Sequence, residues 1–174
     1  MGVGSIAGWA WRCLAASETH LAYPLLVATG SPLSPADWRD VAQRWLADAG
    51  SSAQGIGVLT ARGGVILGLF FYRCVPGVRQ LDVPVLRAIE LTGRARTTAA
   101  LIEVLEGLAA ELGCRRVVLA PSGDPAGAGE LDDRLEAVGE ELGLVREGRV
   151  WRREVAQVSR EAGCRVPAGS THRI

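Results

Sequence analysis

A carboxylate and two guanidinium groups crowd into the stretch Glu90-Leu91-Thr92-Gly93-Arg94-Ala95-Arg96-Thr97-Thr98, between a run of strand character and a long amphipathic helix. Glu90 is the carboxylate near the end of that strand, where a ligand held in a sheet crevice is expected. There it can serve as a base, or it can face solvent or pair with Arg87. Arg94 and Arg96 stand where the helix begins. A helix start presents unsatisfied N–H groups and the positive end of the helix dipole, and arginines add charge-assisted hydrogen bonds to phosphate oxygens. Thr97 or Thr98 can cap the helix. The same arginines can also do no more than solvate a surface turn.

The other reactive side chains form weaker constellations. Cys13, Cys74, Cys114 and Cys164 are scattered, with no Cys-x-x-Cys pair, and neither His20 nor His172 completes a metal-ligand spacing. They read as separate, reduced thiols, and no metal is expected. His20 has no nearby Asp or Ser to form a triad. Ser122 lacks a Gly-x-Ser-x-Gly elbow, and Gly123-Asp124-Pro125 lacks the lysine of a phosphate loop. Trp38 and Trp45 lie on the apolar face of a helix and read as core or as the wall of a cleft.

The elements that position the Glu90–Thr98 stretch follow from periodicity. Alternating apolar residues from Ile6 to Ala16 suggest a first strand, and Leu21, Leu25 and Leu26 a short helix interrupted by Pro24. Ser34 as N-cap, Pro35 in the first turn and Asp37 after it open a second helix, whose stripe is Trp38, Val41, Ala42, Trp45 and Leu46. Gly55–Ala61 and Val65–Cys74 flank Arg62-Gly63-Gly64 and predict an antiparallel hairpin. A strand is expected over Val85–Leu91, with Pro84 at its beginning. Leu101, Val104, Leu105, Leu108, Ala109 and Leu112 then mark a helix of about four turns closed by Gly113. Arg116–Ala120 follows as a strand parallel to Val85–Leu91. Pro121–Gly129 reads as a loop. Leu131, Leu135, Val138 and Leu142 predict a last helix, and Leu144–Val155 a last strand or hairpin arm around Gly148.

Composition bounds the class. The 174 residues suit one domain, and 48% apolar with 22% charged is an ordinary globular balance. Nineteen basic and nineteen acidic side chains cancel, so no long-range field points to nucleic acid or to an anionic membrane. Arg12 and Glu18 interrupt the N-terminal apolar stretch, and the run Val65–Tyr72 is too short to span a bilayer. A soluble, cytoplasmic protein is expected, with a domain over 1–155 and a flexible tail over 156–174.

Strand, two helices, antiparallel hairpin, strand, helix, strand, helix, strand: this order resembles the GNAT superfamily of acyl-CoA-dependent N-acyltransferases from Ile6 to Val155. The local echoes are Ile89–Leu101 and Leu142-Gly143-Leu144-Val145-Arg146-Glu147-Gly148-Arg149-Val150. The resemblance implies an α+β fold with a mixed, mostly antiparallel sheet of six to seven strands flanked by helices, and one central parallel strand–helix–strand unit. It further implies transfer of an acetyl or other acyl group from coenzyme A to a small-molecule or protein amine, without a metal. Glu90 takes the catalytic position, and Leu91, Arg94, Arg96, Thr97 and Thr98 the coenzyme-binding positions. The sequence departs from the family's pyrophosphate motif: Gly93 stands at the usual arginine, and Arg94, Arg96 and Thr98 where small residues are usual. The family's tyrosine on the last helix falls near Gly139. A catalytically degenerate binding or scaffolding module is the alternative. Acceptor and oligomeric state have no readable code.

Overall fold

The computed structural model describes residues 4–6, 9–47, 54–91, 95–120, 135–136 and 139–156. In chain order the elements are β1 (Gly4–Ile6), β2 (Trp9–Cys13), α1 (Thr19–Ala28), α2 (Pro35–Ala47), β3 (Gln54–Thr60), β4 (Ile66–Val75), β5 (Gln80–Ala88), α3 (Arg96–Glu111), β6 (Arg116–Leu119), β7 (Val145–Glu147) and β8 (Val150–Glu154). The strands form one sheet in the order β1-β2-β3-β4-β5-β6-β8-β7. Among the described residues only β5 and β6, joined through α3, are parallel neighbours. The expected α+β class and mixed sheet are therefore present. Among the described residues the sheet counts eight strands, two of them the three-residue edge strands β1 and β7.

Local signals built the clearest elements. Ser34 Oγ accepts the Asp37 N–H at 3.1 Å and the Asp37 carboxylate accepts the Ser34 N–H at 3.3 Å, a reciprocal cap that starts α2. Gly63 and Gly64, at φ +87° and +81°, turn β3 into β4. Gly113, at φ +72°, ends α3, with its N–H on Ala110 O and that of Cys114 on Ala109 O, the paired bonds of a glycine C-cap.

Two expected boundaries move. The first strand is confined to Trp9–Cys13, paired with β1 as a hairpin in which Ile6 faces Trp9. The strand expected over Val85–Leu91 runs instead from Gln80 to Ala88 and contains Pro84. Proline is accommodated because the β4–β5 register slips there. Phe71 faces Val85 and Arg73 faces Asp82, so Val83 and Pro84 together oppose Tyr72. Half of the last predicted helix, the loop from 121 and the tail beyond 156 lie outside the described residues.

The sheet separates two cores. On one face α1 and α2 pack Leu25, Leu26, Trp38 and Ala42 against Ile56, Val58, Leu69 and Phe71. Two indoles fix α2 there: Trp38 Nε1 donates to Thr19 O and Trp45 Nε1 to Gly55 O, both at 2.8 Å. On the other face α3 packs Leu101, Val104, Leu105 and Leu108 over Phe70, Leu81, Val83 and Leu119. No described helix is long and apolar enough to cross a membrane.

Candidate functional site

Pairing of β5 with β6 runs from Gln80↔Arg116 to Val83↔Leu119, followed by the Ala120 N–H on Val83 O at 3.2 Å. β5 continues to Ala88 and stays paired with β4, while no described residue continues the β6 side past Val83. The C-terminal ends of the two parallel strands thus come together around Val83 and Leu119, and such strand ends are where ligands sit in open α/β sheets. Ile89 extends the line of β5, with its N–H on Leu67 O at 2.8 Å.

Glu90 follows Ile89 and reaches the start of α3. Its Oε2 accepts the Thr97 N–H at 2.9 Å, and its Oε1 accepts the Thr98 N–H at 2.8 Å and the Thr98 hydroxyl at 2.7 Å. Thr97 Oγ1 donates to Ile89 O at 2.9 Å, a second tie between strand end and helix start. Both threonines are buried. The helix start thus receives the negative charge that its dipole and free N–H groups favour, from a residue that precedes α3 in sequence. A side-chain cap of this kind contributes about 0.5–2 kcal/mol. The expectation that Thr97 or Thr98 caps α3 is corrected: both hydroxyls donate, and the capping acceptor is Glu90.

The residue at the N-cap position, Ala95, provides no side-chain cap and takes a left-handed conformation at φ +47° and ψ +28°. Its carbonyl accepts the first helical bond, from Ala99 N–H at 2.9 Å. An alanine Cβ is crowded in that conformation, so Ala95→Gly is expected to raise stability by roughly 0.5–1 kcal/mol. A denaturant titration would show it as a higher midpoint at unchanged slope, and an unchanged or lower midpoint would contradict the strain.

The remaining candidates fall in different places. Arg96 is the exposed first residue of α3, and Leu91 is exposed beside Glu90. Arg94 lies outside the described residues. His20 is exposed on α1, and Trp38 is core. Among the described residues no group of three His, Cys, Asp or Glu side chains could hold a metal ion. Gly139, near which the resemblance puts a tyrosine, has little room for a side chain. A Cβ there would lie 2.4 Å from Leu135 O and 2.8 Å from Trp151 Cζ3, so no larger side chain fits.

No family model matches the sequence, and no curated protein does. Solved structures do match. A probable acetyltransferase of the GNAT family from Chromobacterium violaceum superposes with a TM-score of 0.64 at 15% identity, over 87% of this chain and 85% of that one. A spermidine N-acetyltransferase from Vibrio cholerae, solved with CoA and spermine, gives 0.62 at 14% identity, over 86% and 96%. A ribosomal-protein-S5-alanine acetyltransferase from Vibrio fischeri gives 0.62 at 13%, over 88% and 97%. At these identities the likeness is one of architecture, and the chain has the fold of the GNAT acetyltransferases.

Proposed function

We propose that the chain is a cytoplasmic acyl-CoA-dependent N-acyltransferase whose thioester lies at the C-terminal ends of β5 and β6, with Glu90 as the base for the amine. The observation that carries this reading is the Glu90 carboxylate seated on the Thr97 and Thr98 N–H groups, two residues beyond the C-terminal end of β5. The donor set suits a phosphate group: two helix-start N–H groups, already shown to take an anion, beside the exposed Arg96. A pyrophosphate and the carboxylate compete for these donors, because like charges this close repel. Binding therefore frees Glu90 at the strand end, where an ammonium must lose a proton before its nitrogen can attack a carbonyl. Arg94 and Arg96 add charge-assisted bonds to phosphate oxygens, and Thr97 and Thr98 supply N–H donors. Leu91 offers apolar surface beside them. The acyl-CoA brings the activated carbonyl and its thiolate leaving group.

The acceptor is an amine, on a small molecule or a protein. Neighbours of this fold are named for spermidine and for a ribosomal-protein alanine, so both classes belong to the first screen. One observation favours a second reading, a binding or scaffolding module: the clasp already fills the helix start with an internal anion. Calorimetry on the full chain separates the two. Acetyl-CoA is expected to bind with a dissociation constant of roughly 1–100 μM, within the usual substrate range, and free thiol is released once an amine is added. No heat and no thermal shift would leave the second reading. All nineteen basic residues are arginines, so lysine self-acetylation cannot mimic turnover.

A further inference from the structure

Cys74 and Cys114 are 40 residues apart in sequence, yet their sulfur atoms lie 3.3 Å apart. Cys74 sits on β4 opposite Leu81 of β5. Cys114 occupies the turn between α3 and β6, where its N–H bonds Ala109 O at 2.8 Å. Both positions are thus set by backbone hydrogen bonds. Cys114 is fully buried in the α3-side core, and Cys74 is half-buried at its margin. Burial, and the contact with Cys74, push the Cys114 thiol up to about 12. Cys13 has a different neighbour, the Tyr72 hydroxyl at 3.5 Å.

We propose that Cys74 and Cys114 form a reversible internal disulfide, a redox-modification site at the end of the sheet opposite Glu90. A bonded pair stands at about 2.0 Å, so the sulfurs must approach by about 1.3 Å, within reach of small side-chain rotations. The oxidant is a low-molecular-weight disulfide. Cys74, on the solvent side, attacks one of its sulfurs as the thiolate and releases one small thiol, leaving a mixed disulfide on Cys74. Cys114 then gives up its proton and attacks the Cys74 sulfur, expelling the second small thiol. Two electrons pass from the protein to the reagent, and the two released thiols carry the two protons. The buried Cys114 makes the second step the slower one at neutral pH, and raising the pH accelerates it.

The bond ties β4 to the α3–β6 junction and closes a long chain loop, which constrains the unfolded chain more than the folded one. Full-length protein incubated with oxidised glutathione, blocked at its remaining thiols and cleaved after arginine, tests this directly. Each of the four cysteines falls in a separate peptide. The expected product joins Cys74–Arg79 to Thr97–Arg115, about 2 Da below the summed masses, and dithiothreitol reverses it. The oxidised protein should melt about 5–15 °C higher, a shift absent in Cys114→Ala. A lasting glutathione adduct on Cys74 beside an intact Cys114 thiol, or a link between other cysteines, would overturn the proposal. The wild-type peptide map decides by itself, whether or not Cys114→Ala folds.

Discussion

Gly57→Val is expected to remove about 3 kcal/mol or more of stability, lowering the melting temperature by roughly 6–12 °C. A Cβ on Gly57 would lie 2.1 Å from Cζ of Phe70 and 2.6 Å from Cε1 and Cε2, well inside van der Waals contact. Flexible side chains relieve such overlaps by moving, but Phe70 cannot move freely. It is fully buried, with Trp11 at 6.4 Å and Tyr72 at 6.0 Å between ring centroids. Gly55 repeats the arrangement two residues earlier, where a Cβ would come within 2.7 Å of Tyr72 Oη. β3 therefore offers bare backbone at alternate positions on the α3 face, and two aromatic rings of β4 lie across it. Glycine weakens a strand through its chain entropy, and ring-on-backbone packing offsets that here. Gly57→Ala should cost less than Gly57→Val, and Phe70→Leu should partly rescue Gly57→Ala. Urea unfolding that placed Gly57→Val within 1 kcal/mol of wild type would show that the ring has room to shift.

What could be read from the sequence was whatever is decided within a few residues. The Ser34–Asp37 cap, the Gly63-Gly64 turn, the apolar stripe of α3 and its Gly113 stop all depend on near neighbours, and each stands where expected. Contacts across the sheet are different. Pro84 read as the start of a strand because proline removes a ladder donor, yet it lies inside β5, where one extra residue on that strand absorbs it. Gly55 and Gly57 gave no hint of Tyr72 and Phe70, because only the antiparallel register brings them together. Cys74 and Cys114 read as separate thiols by spacing, and their meeting depends on how α3 returns the chain to β6.

At the candidate site, the sequence named Glu90, Thr97 and Thr98 but not their relation. Positions seven and eight residues apart have no periodic signature, so strand end and helix start looked like independent features. Local capping rules favoured the threonines as acceptors. The structure reverses the direction of those bonds, because a charged acceptor outcompetes a hydroxyl for helix-start N–H groups.

That reversal makes Glu90→Gln the decisive substitution, and its two expected effects have opposite signs. Turnover should fall by about 10²–10⁴, the usual cost of losing a general base. Affinity for acetyl-CoA should rise, by about three- to tenfold. A carboxamide offers one acceptor oxygen where the carboxylate offers two, and its NH2 cannot accept from the Thr97 or Thr98 N–H groups. The internal clasp weakens and the competing charge disappears, which at a helix start corresponds to a fraction of a kcal/mol up to about 2 kcal/mol. Other roles for Glu90 give other patterns. A carboxylate that merely shapes the coenzyme site would make Glu90→Gln bind acetyl-CoA more weakly. A permanent plug in a non-catalytic module would give a wild type that neither binds nor turns over, and a variant that gains binding alone. Tighter binding joined to slower turnover is expected only if one carboxylate both closes the anion site at rest and serves the amine once displaced. Isothermal titration and steady-state kinetics on the same preparations measure both halves, and a loss of affinity in Glu90→Gln would refute the exchange.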